Sequence, residues 1–338
     1  MRLLPEMVQI LVESFHPEGR VAARAAAAAA PGGCSHATDQ HRRFEQLLEA
    51  AARLGCDLTE AQLEAVTSAM RQRLTLIHGP PGTGKTTAAA CVVLAWRSLG
   101  DRILCAADSN VAADNLHKSL AKWGIRSYRF RPAEPEESAD SAYQRLLFAK
   151  DALGSFQIVV TTCASAGHEL LQGFSFPRVL VDESTQSVEP TTLLPLCVGC
   201  SHLVLIGDHR QLPPTVISEE ARRLGLDRSL FARLAEPDDS GTAVSVPILL
   251  NEQRRMHPSI ARFPNICFYE GKVEDNVPSR APIPGVRWPQ EGECRLLLVD
   301  VEGEGEESQG TSWRNTAEAT ALLSFLTHVL TAARRPAE

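Results

Sequence analysis

Residues Gly79-Pro80-Pro81-Gly82-Thr83-Gly84-Lys85-Thr86-Thr87 combine three glycines with one lysine and flanking threonine hydroxyls. Glycines let successive backbone N–H groups turn inward around phosphate oxygens, and a helix starting behind them adds the positive end of its dipole. Lys85 is then the cation for the β- and γ-phosphates, and the Thr86 hydroxyl is a ligand for Mg²⁺. The spacing is that of a phosphate-binding loop and implies a bound nucleoside triphosphate. Further on, the apolar run Val179 to Val181 ends in Asp182-Glu183. Asp182 is placed to hold Mg²⁺, directly or through water, and Glu183 to polarise the attacking water. Two acids after a strand are common, and the phosphate loop upstream gives this pair its meaning.

The next apolar run, His202 to Gly207, leads into Asp208-His209-Arg210-Gln211-Leu212-Pro213-Pro214. A polar group at such a strand end can sense whether the γ-phosphate is present, and Gln211 is the candidate. Pro213-Pro214 stiffens the outgoing loop. Gln253-Arg254-Arg255-Met256-His257-Pro258 supplies two cations. An arginine reaching across an interdomain cleft would neutralise charge on the transferring phosphoryl group. The alternative is an ordinary salt-bridged surface pair.

These residues need a scaffold, and the pattern around them supplies one. Apolar, strand-like runs at Leu74–His78, Arg102–Ala107, Gln157–Thr162, Arg178–Val181 and His202–Gly207 alternate with helical stretches. The clearest helices are Thr87–Trp96, Asn110–Trp123 and Ser141–Leu153, with another opened by an N-cap at Thr59 and running through Met70. Alternation of this kind predicts an α/β fold, a parallel sheet with helices on both faces, in the P-loop NTPase (RecA-like) manner. Ligands in such sheets sit beyond the carboxyl ends of strands, where each motif falls. Residues 1–40, with their alanine run, read as a low-complexity tail, and Arg42–Leu54 as an amphipathic helix. Residues 41–250 then form a first, complete domain of this RecA-like kind around the phosphate loop. Residues 251–338 form the start of a second, with a strand at Arg295–Val301 and a helix at Asn315–Ala333.

The net charge of −7 gives no basic footprint, so nucleic-acid binding has no support from overall charge. No apolar run reaches the length of a membrane span, and the start lacks the pattern of a signal or transit peptide. Nine scattered cysteines suit reduced thiols, a cytoplasmic compartment with the nucleus as the alternative. Cys197 and Cys200 form a lone CxxC with no second pair at zinc spacing, so small buried thiols are the expectation there.

The phosphate loop alone also fits AAA-type ATPases. Downstream of it stand, in order, Ser109-Asn110, Thr161-Thr162-Cys163, the string VDESTQ (181–186), GDHRQLPP (207–214) and QRRMHP (253–258). This succession resembles the superfamily 1B helicases, and within them the nonsense-mediated-decay type of RNA helicase. The likeness runs from about Leu58 to Leu330 and includes FYEGKVEDN (268–276), Trp288-Pro289-Gln290 and GTSWRNTAEA (310–319). It implies that Gln62 reads adenine, that Gln186 is the family's coupling glutamine, and that Arg255 is the first of two phosphate-contacting arginines. It implies ATP and Mg²⁺ as cofactors, with Ser109, Asn110, Thr162, Pro213 and Pro214 on a nucleic-acid path. The implied partner is single-stranded RNA, with DNA as the alternative, along with mRNA-decay factors, around a monomeric motor.

The sequence also departs from the family. Position 254 is arginine where the family usually has tyrosine. Its last two motifs have no counterpart before Glu338, so the expectation is an incomplete second domain and weak or absent activity by itself. The readings left open are an ATP-dependent RNA helicase, a catalytically impaired nucleotide- or RNA-binding module, and a DNA helicase of the same superfamily.

Overall fold

The computed structural model describes residues 4–13, 17–28, 49, 57–132, 139–237, 241, 243–278, 296, 298–302, 307–309 and 312–333. The expected helix at Arg42–Leu54 lies outside these, apart from Glu49. The chain divides into two compact units, Met1–Glu252 and Gln253–Glu338.

The first unit is built on one sheet. Its strands are β1 (Leu74–His78), β2 (Ile103–Ala107), β3 (Tyr128–Arg129), β4 (Ile158–Thr162), β5 (Arg178–Asp182), β6 (His202–Gly207) and β7 (Ile248–Leu249). Every pairing is parallel, in the order β3-β4-β2-β5-β6-β1-β7. The five longer strands are nearly continuous apolar runs because both faces are covered. Side chains alternate across the sheet. Leu203 and Leu205 enter the core on one face, while Val204 and Ile206 enter the core on the other.

Helices α3 (Glu60–Arg71), α4 (Lys85–Arg97) and α5 (Asn110–Lys122) cover the second of those faces. α3 opens with the capping box that Thr59 predicts: its hydroxyl accepts from Gln62 N at 3.2 Å, and Gln62 Oε1 accepts from Thr59 N at 3.0 Å. The opposite face is covered in part by α6 (Ala139–Ser155) and α8 (Leu230–Ala235), with the short α7 (Glu189–Leu193) lying between them in sequence.

The same face differs from the expected tail. Residues 5–13 and 17–28 form helices α1 (Pro5–Glu13) and α2 (Pro17–Ala28). Met7, Ile10 and Leu11 are buried in the core, as are Ala23 and Ala27. The alanines supply no large apolar face, but small side chains let a helix approach the sheet closely, and the bulk comes from α1. The edge is pinned by polar contacts too. Arg233 Nη2 donates to the Leu11 carbonyl at 3.2 Å, and Arg73 N donates to that of Ala27 at 3.0 Å.

In the second unit, Asn276 N donates to the Gln253 carbonyl at 2.9 Å, and Glu307–Gln309 forms an antiparallel pair with Ser312–Arg314. Helices α9 (Pro258–Phe268) and α10 (Thr316–Ala333) complete it. The described residues within Arg295–Val301, Leu296 and 298–301, form no strand. Among the described residues, no helix is long and apolar enough to cross a membrane.

Candidate active site

The phosphate loop leaves the carboxyl end of β1. Gly82 and Gly84 sit at φ +80° and +84°, the left-handed region that side chains resist. Thr83 Oγ1 donates to the Pro80 carbonyl at 2.7 Å and closes the turn. A Cβ on Gly79 would lie 2.2 Å from Lys85 Cγ, so a side chain there would push Lys85 out of its place. The side chain of Lys85 folds back along this gap, and its Nζ donates to the Gly79 carbonyl at 3.0 Å. Gly84 is the N-cap of α4 and has no side chain to bond the helix's first N–H groups, which suits an anion there. Thr86 and Thr87 follow Lys85 in the first turn of α4.

Gln62 is buried against this loop. Its Nε2 donates to the Thr83 carbonyl at 3.4 Å, while its Oε1 stays in the capping box. In this state its amide braces the phosphate loop through the backbone.

The two acids stand at the end of β5, one strand from β6. Asp182 is 5% exposed, and burial pushes its carboxyl up to about 6, with the neighbouring Glu183 charge adding to the shift. Glu183 has φ +49°, unusual for a side-chain-bearing residue, and its N–H donates to Asp182 Oδ1 at 3.0 Å. That sharp turn directly after the strand brings Glu183 Oε1 to 3.7 Å from Lys85 Nζ. Gln186 Nε2 donates to the other carboxyl oxygen at 3.3 Å. The donor set fits a divalent cation of the magnesium kind. Asp182 and Thr86 offer hard oxygens, and a cation would offset the charge that burial penalises.

The loop after β6 completes the cluster. Gln211 Nε2 donates to Asp208 Oδ2 at 2.7 Å, and Asp208 Oδ1 lies 2.9 Å from His78 Nε2 at the end of β1. Pro213 is exposed on this loop and Pro214 is buried. The sequence motifs assign no role to His78 or Asp208. The signal is present all the same: an imidazole closes the apolar strand before the phosphate loop, and a carboxyl directly follows the strand beside it.

Of the expected nucleic-acid residues, Ser109, Asn110 and Thr162 stand at the ends of the adjacent strands β2 and β4, whereas Pro213 and Pro214 stand on the loop after β6. Ala107, the last residue of β2, pairs with Thr162 of β4. Ser109 caps α5, its Oγ accepting from Ala112 N at 3.2 Å, and Asn110 is exposed with its Oδ1 accepting from Arg129 Nη2 at 2.9 Å. Thr162 is buried, and its hydroxyl donates to Ser165 Oγ at 2.8 Å within its own turn. Arg129 belongs to none of the motifs. It joins Asn110 to Asp114, whose Oδ1 lies 2.8 Å from Arg129 Nε.

In the second unit, Arg254 and Arg255 are exposed, and their turn is organised by the buried Gln253. Gln253 Oε1 accepts from the N–H groups of Arg255 and Met256 at 2.9 and 2.8 Å. Its Nε2 donates to the Met256 carbonyl and to Asp275 Oδ1, both at 2.7 Å.

Cys200 is buried, with its Sγ donating to the His202 carbonyl at 3.4 Å. Among the described residues, no group of His, Cys, Asp or Glu has the makings of a separate metal site.

A parallel sheet with a phosphate loop after one strand and paired acids after another is a P-loop nucleoside-triphosphatase fold. Two family models, each described as an AAA domain, match the chain, one over residues 57–147 and 133–219 and the other over 226–337. The chain is 31% identical to the Regulator of nonsense transcripts 1 homolog of Arabidopsis thaliana over 320 residues, covering 81% of this chain and 25% of that protein. It is 32% identical to the ATP-dependent helicase NAM7 of Saccharomyces cerevisiae over 305 residues, covering 78% of this chain and 31% of that one. A Neurospora crassa homolog of Regulator of nonsense transcripts 1 is 29% identical over 327 residues, covering 83% of this chain and 29% of the relative. The chain belongs to the superfamily 1B helicases, alongside the Regulator of nonsense transcripts 1 proteins. It spans about a quarter to a third of the length of these curated relatives.

Proposed function

We propose that this chain hydrolyses ATP and couples the cycle to movement along single-stranded RNA. The observation that carries the reading is the approach of Glu183 Oε1 to Lys85 Nζ, 3.7 Å, between the acid pair and the phosphate loop. A carboxylate next to the γ-phosphate cation is where a water-activating base has to stand.

The work divides among named residues. Backbone N–H groups of the loop and of the α4 start hold the phosphates, and Lys85 exchanges its Gly79 carbonyl for phosphate oxygens. Thr86 and Asp182 would hold Mg²⁺, which supplies charge neutralisation at the phosphates. Glu183, fixed by its left-handed backbone and by Gln186, orients a water and takes its proton. Gln211 reports on the γ-phosphate. Arg255 carries the proposed charge-neutralising role of the second unit.

Ser109, Asn110 and the Thr162 turn make the proposed backbone contacts to the nucleic acid. Such contacts come from amides, hydroxyls and N–H groups, so a net charge of −7 is compatible with them. The names of the relatives, regulators of nonsense transcripts, favour RNA over DNA.

The test is ATP turnover by the purified chain, with and without single-stranded RNA, beside Glu183→Gln. We expect RNA-stimulated turnover that falls by about 10²- to 10⁴-fold in the variant, while a fluorescent ATP analogue still binds. Unchanged turnover in Glu183→Gln would remove its role. Binding without turnover in the unmodified chain would leave a nucleotide-binding module in place of an enzyme.

A further inference from the structure

Asp208 is the most heavily committed carboxyl group near the site, and it touches three separate segments. It is 1% exposed. Its Oδ1 accepts from His78 Nε2 at 2.9 Å and from Arg210 N at 3.0 Å, and its Oδ2 accepts from Gln211 Nε2 at 2.7 Å. Its own N–H donates to Thr185 Oγ1 at 3.2 Å, in the turn that follows Asp182-Glu183. A carboxylate only accepts, so the facing ring nitrogen of His78 is the donor.

The placement follows from the sheet. His78 and Gly207 are partners in the β1–β6 register, and Gly79 N donates to the Gly207 carbonyl at 3.0 Å. The first residue of the phosphate loop and the first residue of the sensor loop therefore start side by side. His209 packs the second loop between two rings. Its ring lies 4.6 Å from that of His78 and stacks on Phe231 at 5.6 Å.

We propose that His78 is a positioning residue that fixes Gln211 through the shared carboxylate of Asp208, and so sets how well the site tells a nucleoside triphosphate from a diphosphate. A glutamine amide can present either its oxygen or its nitrogen. Facing a phosphate, the oxygen repels and the nitrogen donates. Asp208 accepts one of the two Nε2 hydrogens, which selects the orientation and leaves the second hydrogen for a phosphate oxygen. Asp208 can do so only while its own carboxyl plane is held, and the His78 ring holds it by its bond to Oδ1. The proposal rests on the assignment of Gln211 as the γ-phosphate sensor.

The experiment compares His78→Ala and His78→Gln with the unmodified chain. Gln places an amide nitrogen the same number of bonds from Cα as Nε2, so it can donate to Asp208. The readouts are kcat and KM for ATP, and the affinities of a fluorescent non-hydrolysable ATP analogue and of fluorescent ADP. We expect His78→Ala to lower the triphosphate-to-diphosphate affinity ratio and kcat about ten-fold or more, the scale of one charged hydrogen bond. ADP affinity should stay unchanged, and His78→Gln should restore both losses. Should His78→Ala fail to fold, His78→Asn replaces it, since its amide is one bond too short to reach Asp208. An unchanged ratio, an equal loss of both nucleotides, or a loss that His78→Gln leaves in place would each overturn the proposal. An unmodified chain that binds nucleotides without turnover would overturn the hydrolysis reading alone, with the affinity ratio still deciding the role of His78. A chain that binds neither nucleotide would overturn both.

Discussion

Two loops leave neighbouring strands of the same sheet and are held in shape by opposite means. The phosphate loop is shaped by its backbone, with two left-handed glycines, one hydroxyl-to-carbonyl bond and a gap that a Cβ would close. Residues 208–218 contain no left-handed position. The sensor loop is shaped instead by a buried carboxyl, three donors around it and a stack of rings. A loop built from backbone fails when a side chain is added. A loop built from side chains fails when one is removed or takes up a proton. The first design suits a ligand whose phosphates need many N–H groups, and the second suits a group that must respond to that ligand.

The largest effect should come from the side chain with which the phosphate loop meets its ligand. Lys85→Ala removes the loop's only cation and its bond to the Gly79 carbonyl, and leaves the glycine turns and the Thr83–Pro80 bond in place. Nucleotide affinity should fall at least about a hundred-fold, since more than one charged hydrogen bond is lost, with the melting temperature nearly unchanged. A fluorescent-nucleotide titration checks this, and retained affinity would take the loop out of the site.

A smaller effect separates the two designs directly. Gly84→Ala puts a Cβ at φ +84°, 2.7 Å from Gln62 Nε2. Left-handed strain costs about 1–2 kcal/mol, and Gln62 must also let go of the loop. For a unit of this size that is roughly 2–8 °C in melting temperature, with about ten-fold weaker nucleotide binding expected. Arg210→Ala is the matching change in the sensor loop. Arg210 contributes its N–H to Asp208 and its side chain is exposed, so both quantities should stay near those of the unmodified chain. Calorimetry on the pair would decide it, and equal destabilisation would break the comparison.

The same division explains what the sequence made legible. Gly79 to Thr86 can be read directly because a backbone-built loop writes its geometry into glycine positions. Strands β1 and β6 were legible to the residue because parallel strands covered on both faces are nearly unbroken apolar runs. The sensor loop was readable only as far as Gln211, since the bonds that shape it join residues up to 130 positions apart, as His78 and Asp208 are. Spacing along one chain carries no trace of that pairing until the strand order puts β1 beside β6. The helices at 5–28 were missed for a related reason. Alanine faces such as that of Ala23 and Ala27 show no amphipathic contrast, and their value appears only against a partner surface. Gln62 was legible by position, but its bond to the Thr83 carbonyl was not.

The smallest effect is the one that acid should produce. Burial, with help from His78 and Arg210, lowers His209 to about 4, below its ordinary value near 6.5. The folded chain then resists a proton that the unfolded chain accepts, so the stability is fully present above pH 6.5 and is lost as pH falls toward 4. His202, lowered to about 3 chiefly by burial, adds to the same acid limb, while Asp182, raised to about 6, works partly against it. Both remain in His209→Phe, which keeps a ring to stack on Phe231 and removes only the proton site. The difference between the two chains therefore isolates the sensor loop. Chemical denaturation between about pH 7.5 and pH 4 should give the variant a shallower loss. The gap per pH unit should stay below about 1.4 kcal/mol, because the ring is only partly buried. Residues 79–87 contain no histidine or carboxyl group, so this limb belongs to the loop built from side chains. Parallel limbs in the two chains would mean that His209 is held neutral by nothing that folding creates, and the acid limb would then not belong to the sensor loop.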